Sequence, residues 1–171
     1  MRRIPHFFLP LTLVAAAALP ALGQEPGASA TFVNADGEEI GTASLTESET
    51  GVLIEIEVSG LPAASWLAFH VHEHGMCDPA DAHESAGGHF NPDDRAHGLL
   101  AGGGPHMGDM PNQYVPEDGV LRAQVFNGMV SLDGEDNGIR GRALMLHADG
   151  DDYVSQPAGD AGDRLACAVI E

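Results

Sequence analysis

Eight of the nine histidines lie between His70 and His147, and six of these form, with one aspartate, a dispersed set of potential metal-binding side chains. The set consists of His70, His72, His89, His97, His106, Asp109 and His147. A tetrahedral zinc site takes four donors, and copper takes three or four with nitrogen preferred. Seven ligands exceed one site, and the simplest count that uses all of them has two four-coordinate metals sharing one histidine. Only a fold that brings these distant positions together can build such a centre.

Alternating apolar and polar residues predict strands over most of the chain. The predicted strands are 28–34, 38–45, 51–59, 66–72, 119–126, 129–132, 141–147 and 164–170. Two segments, 75–118 and 148–163, lack this alternation, and a segment as long as the first needs bound metal or a disulfide to order it. The pattern predicts an all-β fold, an eight-stranded antiparallel Greek-key sandwich or barrel with two long functional loops.

Strand geometry divides the ligands into two groups. Residues two apart on a strand point to the same side, so His70 and His72 form a two-point clamp while their neighbours face the core. His147 ends another strand on the corresponding face, so these three imidazoles can meet on one metal. The motif His106-x-x-Asp109 offers an imidazole and a carboxylate at short loop spacing, which suits zinc. Taken alone, the His70 and His72 pair is as compatible with ordinary structural histidines as with ligands.

The N-terminus predicts a secretory signal peptide over residues 1–23, followed by one domain over residues 24–171. Basic residues at Arg2 and Arg3 precede an apolar run that ends in small residues. The alternative, a membrane anchor, is weaker because prolines interrupt the run and no basic flank follows it. We therefore expect export across the inner membrane, most simply to the periplasm.

The exported domain is strongly acidic. Five arginines and no lysine remain against 26 acidic residues, because two of the seven basic residues lie in the predicted signal peptide. Nucleic acid and anionic membrane surfaces are therefore poor partners. A well-solvated surface of an exported protein explains the acidity without a special function.

The two cysteines, Cys77 and Cys167, predict one structural disulfide. They follow a secretion signal and are too far apart in sequence for a Cys-x-x-Cys redox pair. Two free thiols are disfavoured in an oxidising compartment. The disulfide would join the ligand-rich loop to the last strand.

Four segments of the chain resemble the copper/zinc superoxide dismutase family, of the bacterial secreted kind. They are Phe69-His70-Val71-His72, the run from Ser85 to Pro92, Gly108-Asp109, and the run from Gly159 to Cys167. The resemblance extends from about residue 28 to the C-terminus and implies dismutation of superoxide to dioxygen and hydrogen peroxide. It implies copper held by His70, His72, His89 and His147, and zinc held by His89, His97, His106 and Asp109.

The resemblance also implies roles for residues outside the ligand set. Arg164 would bind the superoxide anion beside copper, and His89 would supply a proton to the peroxide product. Asp151 would bond ligands of both metals. Without the resemblance, Arg164 could be a surface arginine and Asp151 a plain turn acid. The family resemblance leaves open whether the chain is a monomer or a homodimer.

Departures from the family pattern fall in the segment before His89. Met76 replaces a small or acidic residue, and 78–84 resembles an insertion. His74 and His83 have no family role, and we interpret both as ordinary exposed histidines. Two other functions remain open: a non-catalytic copper carrier or metal-storage protein on the same fold, and a zinc-stabilised binding module that never takes copper.

The acidic surface predicts an unusual salt dependence. The segment 148–163 holds five aspartates and no basic residue, so steering of superoxide rests on Arg164 and the metals. We expect added salt to slow the reaction only weakly, or to accelerate it, because screening reduces net repulsion. Superoxide decay measured across ionic strengths checks this expectation, and a steep loss of rate with salt would contradict it.

Overall fold

A computed structural model describes residues 27–171, which contain nine β-strands. They are β1 (Ala28–Asn34), β2 (Glu39–Ser48), β3 (Gly51–Val58), β4 (Ser65–Leu67), β5 (Phe69–His72), β6 (Gln113–Val115), β7 (Leu121–Asn127), β8 (Ala143–His147) and β9 (Arg164–Val169). Seven strands form one curled antiparallel sheet in the order β5-β8-β9-β1-β2-β3-β7, and β4 pairs with β6. The predicted all-β antiparallel fold is confirmed.

One face of the curled sheet encloses the main hydrophobic core. In β3, Ile54, Ile56 and Val58 are buried, whereas Glu55 and Glu57 between them reach solvent. This alternation follows from the two-residue repeat of a strand. The longest ladders join β1, β2, β3 and β7, whereas the strands that carry the histidines, β5 and β8, lie at the other edge of the sheet.

Three details differ from the predicted strands. The strand predicted at 66–72 divides into β4 and β5, which belong to different sheets. β6 lies inside a segment predicted to be irregular, where it pairs with β4. The strand predicted at 129–132 is absent: Val130 and Leu132 are buried, but the segment forms only an isolated bridge at Ser131. Its N–H groups bond partly to side chains, because the Leu132 N–H donates to Glu47 and the Met129 N–H to an asparagine, and partly to the following loop, because the Ser131 N–H donates to the Asn137 carbonyl oxygen. Alternating burial alone does not make a ladder.

The strands β5 and β8 are buried on both faces. Leu144 and Leu146 face the main core, whereas Ala143 and Met145 pack with Ala86 in a second, smaller apolar cluster. The long loop after β5 covers this second face. Here sequence alternation correctly predicts which residues share a face, but both faces are shielded from water.

A disulfide between Cys77 and Cys167 joins the covering loop to β9, as predicted. The loop folds into two short 3-10 turns, Pro79–Asp81 and Glu84–Ala86. The predicted signal peptide, residues 1–23, lies outside the described residues. Within residues 27–171, no helix has the length and apolar character needed to cross a membrane.

Removing the disulfide should destabilise the protein strongly. The bond closes a loop across a sequence separation of 90 residues. In the chain-entropy model such a cross-link contributes roughly 4 to 5 kcal/mol by restricting the unfolded chain. We expect a double Cys77→Ser, Cys167→Ser variant to lose a free energy of unfolding of that order in denaturant titrations. The difference from wild type should vanish under reducing conditions, and equal stabilities under oxidising conditions would contradict the account.

Candidate metal centre

Strand pairing brings the distant histidines together at one end of the sheet. His70 and His72 lie on β5, which pairs with β8, the strand that ends at His147. Isolated bridges then attach the loop, joining His70 to Asp109 and His72 to His89. All seven predicted ligands are buried. The loop that appeared irregular in the sequence is therefore held against β5 by backbone pairing and attached to β9 by the disulfide.

One group of ligand atoms comprises four imidazoles, those of His70, His72, His89 and His147. One nitrogen of each ring lies within 4.8 Å of the others. Nε2 of His72 lies 3.3 Å from Nε2 of His147, and Nδ1 of His70 and Nε2 of His89 are buried without a hydrogen-bond partner among the described residues. Four ring nitrogens thus converge on one small volume.

The outer nitrogens of this group are held by the protein. His72 Nδ1 lies 2.9 Å from the carbonyl oxygen of Gly87, and His147 Nδ1 lies 3.4 Å from that of Gly162. His70 Nε2 lies 3.0 Å from a carboxylate oxygen of Asp151. A ring that donates its outer N–H presents an unprotonated nitrogen on the inner side.

The second group comprises three imidazoles and one carboxylate, those of His89, His97, His106 and Asp109. Asp109 Oδ1 lies 2.9 Å from His89 Nδ1 and 3.1 Å from His97 Nδ1. His106 Nδ1 lies 3.4 Å from the same oxygen, but without the alignment of a hydrogen bond. The Gly98 N–H donates to Asp109 Oδ2 and fixes the carboxylate. His89 belongs to both groups, with Nε2 facing the first and Nδ1 the second.

Asp151 contacts one imidazole of each group through the outer nitrogen of that ring. Its Oδ2 accepts from His70 Nε2, and its Oδ1 lies 3.1 Å from His97 Nε2. Asn112 anchors the Asp151 backbone through two hydrogen bonds of 2.8 Å. Gly159 has a positive φ of 70°, and a side chain there would collide with the Asp151 carboxylate. Glycine at that position lets the second loop close over the aspartate.

Burial lowers the pKa of the imidazoles in the metal-free chain. Loss of hydration disfavours the charged ring and takes the pKa of His89 to about 4 and that of His147 to about 3. The same cause lowers the pKa of His70 and places that of His72 well below its usual value. These rings are neutral at pH 7, which is the form that binds a metal ion.

In the two carboxylates of the site, hydrogen bonds outweigh the effect of burial on the pKa. Burial alone would raise the pKa of Asp109, but contacts from His106 and His89 hold it well below its ordinary value. The pKa of Asp151 is lowered in the same way, because hydrogen bonds from His70 and His97 outweigh burial. Both side chains are therefore anionic at neutral pH, and Asp109 offers a charged oxygen to a cation.

Arg164 begins β9 directly opposite His147 in the strand register. Its Nη1 donates to the carbonyl oxygen of His83 at 2.6 Å, and its Nη2 donates to that of Gly87 at 2.9 Å. The guanidinium lines a cavity of about 1000 Å³ together with His72, His89 and His147. The first group of imidazoles therefore opens onto a solvent-filled space with a fixed cation at its edge.

The two remaining histidines behave differently from each other. The side chain of His74 is half exposed, as predicted. His83 was predicted to be exposed, and this is wrong: it is fully buried, in a left-handed conformation with φ of 63° between the two 3-10 turns. The inserted segment folds back against the β9 strand rather than extending into solvent, which encloses the ring. Sequence reasoning also missed Asn112, whose loop position carries no distinctive signal.

The donor set fits copper in the first group and zinc in the second. Unpartnered buried imidazole nitrogens are costly unless a ligand uses them. Four nitrogens suit copper, whereas three nitrogens with one carboxylate suit zinc. This arrangement therefore favours two bound metals over a set of structural histidines.

The family model for copper/zinc superoxide dismutase matches residues 39–170. The chain belongs to the copper/zinc superoxide dismutase family. A Cu-Zn superoxide dismutase of Aquifex aeolicus is 48% identical over 155 residues, covering 88% of this chain and 91% of that relative. Another, from Caulobacter vibrioides, is 38% identical and covers 84% of this chain and 85% of that relative.

Solved structures agree with this family membership. A double mutant of a superoxide dismutase-like protein from Bacillus subtilis superposes with a TM-score of 0.79 at 36% identity, covering 82% of this chain and 94% of that one. The Cu/Zn superoxide dismutase from Brucella abortus gives 0.70 at 30% identity, covering 84% and 98%. The protein is a superoxide dismutase whose substrate is superoxide and whose cofactors are copper and zinc.

The metal-free dismutase should lose stability between pH 7 and about pH 4. The unfolded chain protonates its histidines near pH 6.5, whereas folded His89 resists protonation to about pH 4 and His147 to about pH 3. The unfolded state thus binds more protons in this window, so falling pH favours unfolding, by up to about 3 kcal/mol for His89 alone. Denaturant titrations of the metal-free chain at successive pH values measure the effect.

Two controls isolate the histidine contribution to this pH dependence. Metal-free His147→Asn should show a shallower loss of stability, because it lacks one of the resistant rings. The carboxylates contribute only near and below pH 3.8, since the pKa values of Asp109 and Asp151 are lowered. A free energy of unfolding that stays constant from pH 7 to pH 4 would contradict the assignment.

Proposed function

We propose that superoxide is dismuted at the cavity end of the first imidazole group, with copper held by His70, His72, His89 and His147. Zinc is held by His89, His97, His106 and Asp109, so His89 serves both metals. The observation that carries this assignment is the orientation of the rings. Their inner nitrogens converge, while three of the four copper-group rings have their outer nitrogens within reach of the protein.

Copper, when bound, supplies the one-electron exchange that dismutation requires, whereas zinc has no redox chemistry of its own. The protein contributes a fixed set of donors. Asp151 holds His70 and His97 in one orientation. Partners of this kind set the tautomer and the direction of a ligating ring, and their loss typically costs 10- to 100-fold in metal affinity.

Arg164 binds and orients the superoxide anion. Two carbonyl oxygens hold its guanidinium at the cavity edge, and its side chain is only 15% exposed. A planar, permanently charged group with several N–H donors suits a small anion. Its position opposite His147 places this charge beside the copper ligands.

His89 holds and delivers one of the two protons that two superoxide ions consume in forming hydrogen peroxide. Its Nε2 faces the first group and has no hydrogen-bond partner among the described residues, while Nδ1 lies on the zinc side, 2.9 Å from Asp109 Oδ1. A proton on Nε2 is therefore directed towards the reacting side. An imidazole suits this role because each ring nitrogen can carry either a proton or a metal.

The cellular setting follows from the sequence. We propose that residues 1–23 are a cleaved signal peptide, that residues 24–171 form the mature periplasmic domain, and that the enzyme acts as a monomer or homodimer without nucleic-acid or membrane partners. The disulfide supports export, because such bonds persist in oxidising compartments.

A copper carrier on the same fold would need no fixed guanidinium at the cavity, so Arg164 favours catalysis.

Metal analysis combined with a superoxide assay tests this assignment. We expect one copper and one zinc per signal-free chain. His147→Ala should lose copper and retain zinc, because it removes a donor from the first group alone. Arg164→Ala should keep both metals but slow superoxide decay by about tenfold or more, with Arg164→Lys intermediate. Copper binding without turnover would favour the carrier, and zinc binding alone would favour the binding module.

A further inference from the structure

We infer that Glu84 acts as a positioning residue that restrains the anion-binding guanidinium of Arg164. The Glu84 carboxylate competes with superoxide for the positive charge of that guanidinium. The inference rests on the proposed role of Arg164 and deepens it. It starts from one contact: Glu84 Oε2 lies 3.3 Å from Arg164 Nη2.

The hydrogen bonds of Arg164 show what this contact removes. A guanidinium has five N–H donors. One on Nη1 donates to His83 and one on Nη2 to Gly87, so three N–H groups remain for an incoming anion. The Glu84 carboxylate is not aligned for a hydrogen bond, but at 3.3 Å from Nη2 it offsets part of the positive charge that would attract the anion.

The same short turn both fixes the guanidinium and carries its competitor. The 3-10 turn Glu84–Ala86 lies between His83 and Gly87, the residues whose carbonyl oxygens accept from Arg164. The backbone of the turn is closed by the Gly87 N–H donating to the Glu84 carbonyl oxygen. In contrast, the Glu84 side chain is 70% exposed, so it can rotate away while the backbone contacts stay in place.

The charges around the cavity make this single contact consequential. Four acidic side chains line the cavity, and Arg164 is the one arginine among its lining residues in the described chain. The four are Glu73, Glu84, Asp160 and Asp163. Of these four, Glu84 is the one paired with Arg164. Because an exposed ion pair is weak, substrate can displace the carboxylate, and the penalty on the reaction is only several-fold.

Charge removal at Glu84 should accelerate the reaction, whereas equal charge removal nearby should do so less. We expect copper- and zinc-loaded Glu84→Gln to react with superoxide about two- to fivefold faster at low ionic strength. Its dissociation constant for azide, measured by titrating the visible absorption of copper, should fall by a similar factor. Asp160→Asn is the matched control, because Asp160 is exposed on the same cavity wall without an ion pair to Arg164. Its effect should be less than half as large.

Two further variants separate the contact from the general field. Glu84→Asp keeps the charge but withdraws it by one methylene, so a contact mechanism predicts a rate near that of Glu84→Gln. In an Arg164→Ala background, Glu84→Gln should change the rate and azide binding no more than Asp160→Asn does, because the ion pair is gone and only the general field remains. The inference is overturned if Glu84→Gln is no faster than wild type or Asp160→Asn matches it. Glu84→Asp behaving as wild type, or a full acceleration without Arg164, also overturns it. The Arg164→Ala variant alone tests the role of Arg164, so the two claims fail separately.

Discussion

Each buried imidazole of the metal centre needs a partner for both of its ring nitrogens, and this constraint organises the site. A buried polar atom without a partner is costly, so a ring enclosed by the loop needs one partner on the outside and another inside. Asp151 is the outer hydrogen-bond partner of both His70 and His97. The inner nitrogens of His70 and His89 lack a protein partner among the described residues, and a bound metal removes that cost. Folding and metal binding are therefore linked.

The strand register alone positions the ligands on β5 and β8 and the guanidinium of Arg164 near one another. The pairing of β5 with β8 aligns His70 with Met145 and brings His147 close to the same end, and the pairing of β8 with β9 sets His147 opposite Arg164. A shift of one residue would send these side chains into the apolar core. The disulfide then holds the covering loop on β9, where its backbone carbonyl oxygens position the guanidinium. Pairing between strands that are distant in sequence thus positions the first ligands, and the loop supplies the remaining ones.

Much of the fold and site follows from the sequence, for identifiable reasons. Two-residue alternation identified β3 and the shared face of His70 and His72, because those strands are long or bear distinctive side chains. It failed at 129–132, where buried side chains alternate but the backbone bonds to side chains and to the following loop rather than to a neighbouring strand. The burial of His83 and the contact of Glu84 with Arg164 depend on how an inserted loop folds back, which no local pattern encodes.

Anomalous diffraction from crystals of the metal-loaded protein tests whether His89 belongs to both metals. Data collected at the copper and zinc absorption edges locate each element separately. We expect a copper peak beside His89 Nε2, among His70, His72 and His147. We expect a zinc peak beside His89 Nδ1, near Asp109. A single metal peak, or two peaks of which only one contacts His89, would contradict this expectation.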